Sequence, residues 1–387
     1  MSNRYDVIVL GLGGIGSAAI CHVARRGHRV LGIDQFSPPH DRGSTHGQTR
    51  IIRQAYFEHP DYVPLVLRAY ELWREVEAAT GQTLLEQVGL LEVGPGDGVV
   101  VPGVLASAAR HDLAVERLSA ADAERRFPGF RVPGNYAAVF EPTAGFLHVE
   151  RCVAAHLQLA VQAGAALQTN TAVASWSRSG NAIAVSTDRG EFRAERLIVA
   201  AGPWAAHVLP ALGVPLVVRR KPLYWFAAAG GDAATCANWP LSVAAGCPTF
   251  LYELSQGVFY GFPQFDDRGV KVARHSGGET VADASTVDRA LDAADCDAVA
   301  DFVEAHLVGL ARRPRDHATC MYTMSPDEHF VVDLLPGEPR VAFVAGLSGH
   351  GYKFAPVLGE ILADLVDAGE TKHPVGFLGL DRFAGST

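Results

Sequence analysis

The stretch Tyr5-Asp-Val-Ile-Val-Leu10-Gly11-Leu-Gly13-Gly-Ile-Gly16 decides the fold. Tyr5 to Leu10 is a nearly continuous apolar run, the pattern of a parallel strand buried on both faces. Gly11 to Gly16 fits G-x-G-x-x-G. A helix is predicted from Ile15 to about Arg26, with Gly27 as its stop. A second strand, Arg29 to Ile33, ends in Asp34, 18 positions after Gly16. Gly11 permits a tight turn, Gly13 lets the backbone approach a pyrophosphate, and Gly16 lets helix and strand pack closely. The helix N-terminus offers free N–H groups and a positive dipole end to phosphates. Asp34 can accept hydrogen bonds from ribose hydroxyls. Strand, turn, helix, strand and acid in this order predict a dinucleotide-binding unit.

The motif does not by itself separate FAD from NAD. A fold that starts at residue 5, with no catalytic domain ahead of it, is typical of FAD proteins and sets that expectation.

The chain has 387 residues, 48% hydrophobic and 19% charged, enough for a sizeable core and for two domains. Its net charge is -9 with both signs scattered, which argues against a nucleic-acid partner. Six cysteines (Cys21, Cys152, Cys236, Cys247, Cys296 and Cys320) show no C-x-x-C spacing, so no metal site is expected and the thiols read as reduced. No secretory leader is expected ahead of the first strand, because no basic region, apolar run and cleavage site precede it, and no apolar run reaches the roughly 18 to 20 residues of a membrane span. The expectation is a cytoplasmic protein with no membrane partner.

Residues 35–60 form a long polar loop, of a length that usually carries function. Asp61 reads as the N-cap of a helix to Thr80, closed by Gly81. Residues 83–146 change character, with strands, short helices and many turn signals. His148 to Ala163 reads as an amphipathic helix, and Leu167 to Val173 and Ile183 to Arg196 as strands, with a turn at Asp188-Arg-Gly190. Leu197 to Ala201 runs into Gly202-Pro203-Trp204. Residues 217–324 alternate apolar and polar positions, as in Gln256 to Phe262 and Gly269 to Arg274, which predicts a mixed or antiparallel sheet. Thr280 to His306 reads as helical. Val341 to Ala345, a glycine turn over 346–351 and a helix from Phe354 to Asp367 repeat the strand–turn–helix logic. The expected architecture is α/β (α+β overall). An FAD-binding Rossmann domain from 1–82, 147–216 and 325–387 encloses a substrate domain from 83–146 and 217–324.

Five segments carry a resemblance. They are Gly43-Ser-Thr-His46-Gly-Gln-Thr-Arg50-Ile-Ile-Arg53, Tyr260-Gly-Phe-Pro263, Gly269-Val-Lys271 with His275, Cys320-Met-Tyr322-Thr-Met-Ser-Pro-Asp327, and Gly346-Leu-Ser-Gly-His350-Gly-Tyr-Lys353-Phe354. In this order and spacing the chain resembles the monomeric sarcosine oxidase and N-methyltryptophan oxidase family, over essentially its whole length. The resemblance implies a glutathione-reductase-like FAD domain and an oxidase of secondary amines.

The resemblance also implies roles. Cys320 matches the cysteine that forms a thioether to the flavin. The reaction needs a thiolate and nearby positive charge, which Arg50 and His46 match. Arg53 and Lys353 match the pair that binds the substrate carboxylate, a fork and a point charge. Lys271 matches the lysine that promotes reaction with oxygen. In a Gly-Val-Lys-Val strand it would otherwise read as an outward solubility residue. His275, Tyr260 and Tyr322 match residues around the substrate. Cofactor contacts are implied at Gly11, Gly13, Gly14, Ile15, Gly16, Asp34, Gln35, Ser44, Val173, Gly202, Gly349, Gly351 and Lys353.

The implied reaction oxidises the carbon beside the amine nitrogen to an imine, which hydrolyses, while O2 becomes H2O2. A cationic pocket would lower the amine's pKa and favour the reactive free base. Thr45 and Gln48 depart from the His and Asp often found there in relatives. The stretches 221–238 and 249–257 match the family poorly, so sarcosine, a bulkier N-methyl amino acid or a cyclic imino acid such as pipecolate all fit. An amine dehydrogenase, or a flavin-bound sensor without turnover, is the alternative. The family points to a monomer.

Overall fold

The computed structural model describes residues 4–230 and 239–384. Cys236 and the end of the 221–238 stretch lie outside the described residues. Two large sheets and one small one organise the chain. In the first sheet, strand Arg4–Leu10 lies between Val30–Ile33 and Gly190–Val199, parallel to both. Ala166–Gln168 extends one side in parallel. Glu338–Ala345 joins Gly190–Val199 in parallel from the other. Val7 to Leu10 are each at most 2% exposed, as a strand covered on both faces requires. Helix Gly14–Arg25 packs between Val149–Gln162 and Ala355–Ala368.

The second sheet has nine strands and is antiparallel except where Thr249–Leu254 runs beside Leu90–Pro95. Its alternation sorts side chains cleanly. On strand Val217–Phe226, Tyr224 and Phe226 enter one core and Leu223 and Trp225 the other. On strand Gly257–Phe262, Phe259 joins the first while Tyr260 and Phe262 join the second. The first face is sealed by helix Ala293–His306. There Phe302 stacks on Phe259 with centroids 4.6 Å apart and planes 4° from parallel, a contact worth about 1 kcal/mol beyond its buried area. The second face looks back at the first sheet. Strands Thr49–Ile52, Gly145–His148 and Leu85–Glu86 form the small sheet between them.

Three local expectations change. Asp61 does not cap: its backbone is helical (φ -71, ψ -10) and its side chain makes no capping bond to helix Tyr62–Thr80, although Gly81 closes it at φ 67. Thr280 to His306 is α-helical only from Ala293, after a short 3-10 turn at Ala284–Thr286, and there the Asp292 side chain accepts from Asp295 N–H. A better cap inside the stretch decides the start. Leu167 to Val173 is not one strand, because Asn170 turns to φ 51 and separates Ala166–Gln168 from Val173–Ser179. Among the described residues, no helix is long and apolar enough to cross a membrane, and no cluster of side chains could hold a metal ion.

Candidate active site

The Gly11–Gly16 turn opens onto a cavity of about 200 Å³. Gly11 has φ +85, and a Cβ there would sit 2.5 Å from Ala200 O; one on Gly16 would sit 1.7 Å from Gly11 O. The turn therefore exists only with glycine at both places. Gly11, Gly13, Gly14, Ile15, Asp34, Gln35, Ser44, Val173, Gly202, Gly349 and Gly351 all lie along the wall. Gly16 does not line it and serves the helix–strand contact. Lys353 is also absent from this wall, contrary to its place among the implied cofactor contacts; its side chain turns into a second cavity. Asp34 is held by Leu12 N–H at 2.7 Å and Phe36 N–H at 2.8 Å, with His40 Nε2 3.5 Å away. The main-chain cradle, the helix N-terminus and the carboxylate fit the pyrophosphate and ribose of FAD.

At the far end of this cavity the loop 43–50 meets strand Asp316–Met324. Arg50 donates to Ser44 O at 3.0 Å, to Thr49 O at 2.8 Å and to Cys320 Sγ at 3.2 Å. Cys320 is 1% exposed. Burial alone would push its thiol up, but Arg50 and then His46 outweigh burial and bring it down to about 6. Burial pushes Cys247 up unopposed, and pushes Cys152 up against the weaker pulls of Tyr352 and Arg151. The Arg50 and His46 side chains thus favour the thiolate of Cys320, the nucleophilic form.

Lys271 is 2% exposed and does not reach either cavity wall. Its ammonium donates to Gly47 O at 2.6 Å, Thr49 O at 2.9 Å and Thr49 Oγ1 at 3.2 Å. Burial, then Arg50, push its pKa well down. From the other side Glu150 accepts the N–H groups of Gly47 (2.8 Å) and Gln48 (3.1 Å). Gln48, at φ 69, spans Asp266 and the Trp225 indole. Thr45 Oγ1 accepts from Gly14 N–H at 3.2 Å. Both residues where the sequence departs from its relatives thus tie the loop to its neighbours.

The second cavity, of about 60 Å³, shares Arg50, Tyr322, Gly349 and Tyr352 with the first. Arg53, Lys353, Tyr260, His275, His350 and Glu58 complete its polar lining. Tyr322 OH lies 3.4 Å from Tyr260 OH and 3.3 Å from His275 Nδ1. Lys353 donates to His350 O at 2.7 Å and to Tyr56 OH at 3.4 Å. Burial, followed by Arg53, brings its pKa down to about 7. Arg53 does not stand free. Its Nη2 grips both oxygens of Glu58 at 2.7 and 2.5 Å, its Nη1 donates to Ala55 O, and its Nε lies 3.8 Å from Glu92. Burial opposes ionisation of Glu58, but Arg53 prevails and holds it down to about 2. Glu92, sealed at 0% exposure, is pushed up to about 8 by burial, against the pull of Arg53.

Sequence reasoning missed Glu58, Glu92, Glu150, Tyr56 and His350. Glu58, five residues beyond Arg53, had a local signal that an exposed loop acid shares, and His350 lay within the Gly346 to Phe354 segment without a role assigned to it.

A family model described as FAD dependent oxidoreductase matches residues 6–365. The chain is 42% identical over 388 residues to monomeric sarcosine oxidase of Streptomyces avermitilis, covering 99% of each. It is 38% identical to N-methyl-L-tryptophan oxidase of Yersinia pestis, covering 98% of this chain and 99% of that one. The structure of NikD, described as an unusual amino acid oxidase essential for nikkomycin biosynthesis, superposes with a TM-score of 0.84 at 27% identity over 97% of each chain. With the glycine cradle, the Asp34 carboxylate and a match spanning nearly the whole sequence, the chain belongs to the FAD dependent oxidoreductase family.

Proposed function

We propose that the protein is an FAD-dependent oxidase of secondary amines, acting on N-methyl amino acids of the sarcosine or N-methyltryptophan type. The observation that carries this reading is the cation pair Arg53 and Lys353 in a small cavity that opens on the cofactor cavity through Arg50 and Tyr322. A substrate carboxylate would displace Glu58 from Arg53 and gain a second contact from Lys353. Tyr260, Tyr322 and His275 would then flank the amine. FAD supplies the two-electron acceptor for the carbon beside the nitrogen and the return of those electrons to O2 as H2O2.

The segments 1–82, 147–216 and 325–387 serve as the FAD-binding domain in this reading, and 83–146 with 217–324 as the substrate domain. Cys320, activated by Arg50 and His46, is the attachment point for a covalent flavin. Lys271, held behind the 47–49 loop, would favour electron transfer to oxygen in its protonated form, as a hydrogen-bond donor and positive charge against that loop. The working form is a cytoplasmic monomer.

The test is a peroxide-coupled assay in air with sarcosine, N-methyltryptophan, N-methylalanine, pipecolate, proline and glycine. Peroxide from an N-methyl amino acid but not from glycine is expected. Anaerobic flavin bleaching without peroxide in air would replace the oxidase with a dehydrogenase. Peroxide from pipecolate alone would make it a cyclic imino acid oxidase.

A further inference from the structure

Strand Val217–Phe226 carries a lysine that none of these roles uses. Lys221 is 3% exposed. It stands opposite Cys320 in the antiparallel pair with Asp316–Met324, so its side chain rises on the same face as Cys320 and Tyr322. Its ammonium donates to the main-chain carbonyls of His275 and Gly277, the latter at 2.6 Å. It lies 4.9 Å from the centre of the Tyr322 ring. These partners are two carbonyls and a ring face, not a carboxylate, so the charge is solvated without being cancelled. Its stem lies 3.4 Å from where a Cβ on Gly278 would stand, and Gly277 and Gly278 both have positive φ (67 and 106), so the chain wraps closely around it. Methionine would fill the same space without the cost of burying an ammonium. What sets lysine apart here is its charge.

We propose that Lys221 is a positioning residue for amine oxidation. It clamps the main chain of His275 and the face of Tyr322, and it sets a positive charge behind the wall that meets the substrate's amine. The proposal rests on the secondary-amine reading. The charged neighbours divide: Arg219 on the same strand and Arg274 on the adjacent one add positive potential, while Glu328 and Asp295 oppose it, and Asp295 is already paired with Arg220. Burial, then Arg274 and Arg219, bring Lys221 down to about 8, so it is charged through the acidic and neutral range. Burial first and Lys221 second hold His275 down to about 3, which keeps that ring neutral. While Lys221 is protonated, below about pH 8, its charge disfavours the substrate's ammonium form and lowers the pH at which the free amine becomes available.

The experiment compares the pH profile of kcat/KM for the best amine from about pH 6 to about pH 10. It uses the parent holoenzyme and the variants Lys221→Met, Lys221→Gln and Lys221→Arg. In the two neutral variants the acidic limb is expected to move up by about one pH unit, with the plateau kcat largely kept. Lys221→Arg should keep the parent's limb. Lys221→Gln retains a hydrogen-bond donor should Lys221→Met fail to fold. A merely structural lysine would lower plateau kcat or thermal stability without moving the limb. An unmoved limb in Lys221→Gln, or an equal shift in Lys221→Arg, overturns the proposal while the secondary-amine reading stands. A parent that oxidises none of the amines overturns both.

Discussion

The two cavities share four residues, yet they are built from different material. The larger is shaped by main chain: Gly11, Gly202, Gly346 and Gly349 all have positive φ, and helix and strand ends converge there. The smaller is shaped by buried ionisable groups: Arg53, Lys353 and Glu58 line it, and Glu92, off the wall, lies 3.8 Å from Arg53. A cavity made of backbone keeps its form when pH changes. A cavity made of opposed charges is a balance that one proton or one substitution moves. The comparison makes the cofactor end a rigid mould and the substrate end an electrostatic device.

The strongest challenge to this division lies at their junction. Cys320→Ser removes the thiolate that Arg50 and His46 stabilise. After acid precipitation the parent should carry its flavin in the protein pellet, and Cys320→Ser should release all of it. Cys152→Ser, at a thiol that burial pushes up, should retain the pellet colour. Colour retained by Cys320→Ser would place the attachment elsewhere.

Next in size is Arg53→Met, which strips the small cavity of its fork and leaves Glu58 and Glu92 without their cation. Steady-state kinetics should show kcat/KM lowered by about 10² to 10³, the usual range for truncating a buried charge pair, while the flavin stays bound. Equal loss of flavin and activity would deny that the cavities are separable. Glu58→Gln should act in the opposite direction. The competing anion is gone, so a small carboxylate such as acetate should bind about tenfold more tightly, a gain of about 1.4 kcal/mol, read from the flavin absorbance. Because Glu58 titrates near 2, its competition is constant above about pH 4. The parent's carboxylate affinity should still weaken as pH rises through about 7, where Lys353 loses its proton. Unchanged affinity in Glu58→Gln would mean that the ion pair with Arg53 does not compete with ligand.

The same division explains what could be read from the sequence. The cradle is local: strand, Gly11 to Gly16, helix and Asp34 fall within one βαβ unit, and each residue's role follows from its neighbours. The nine-stranded sheet was also legible, because alternation on Gly257–Phe262 reports two faces without saying what they meet. The roles of Cys320, Arg53, Lys353 and Lys271 came from family resemblance and not from spacing. The charge balance had no such signal. Glu92 sits in an apolar strand 39 residues from the arginine it faces, and Lys221 meets Gly277 across 56 residues. Nothing local tells a buried acid from an exposed one until the strands are paired. Lys271 shows the reverse limit: the motif identifies the residue but not that carbonyls of Gly47 and Thr49 hold its ammonium one layer behind the wall.

The smallest effect tests whether the mould is indifferent to charge. Behind the cofactor cavity, His156 on helix Val149–Gln162 is 2% exposed and packs against Trp73, whose indole donates to Lys353 O. Burial, helped by His22 and Arg25, pushes its pKa down to about 3. The folded state therefore keeps His156 neutral where the unfolded chain, near 6.5, binds a proton. A lowered folded pKa makes the unfolded state the better proton acceptor, so stability is complete above about 6.5 and falls as pH drops towards 3. At pH 5 the loss from this one group is about 2 kcal/mol. His156→Leu should flatten the acid side of the stability curve by that amount, measured as denaturation midpoint between about pH 7 and pH 5. The carboxylate-binding profile set by Lys353 should not move. If His156→Leu shifts that profile as well, the helix layer and the charge cluster titrate together, and the distinction between mould and device fails at its base.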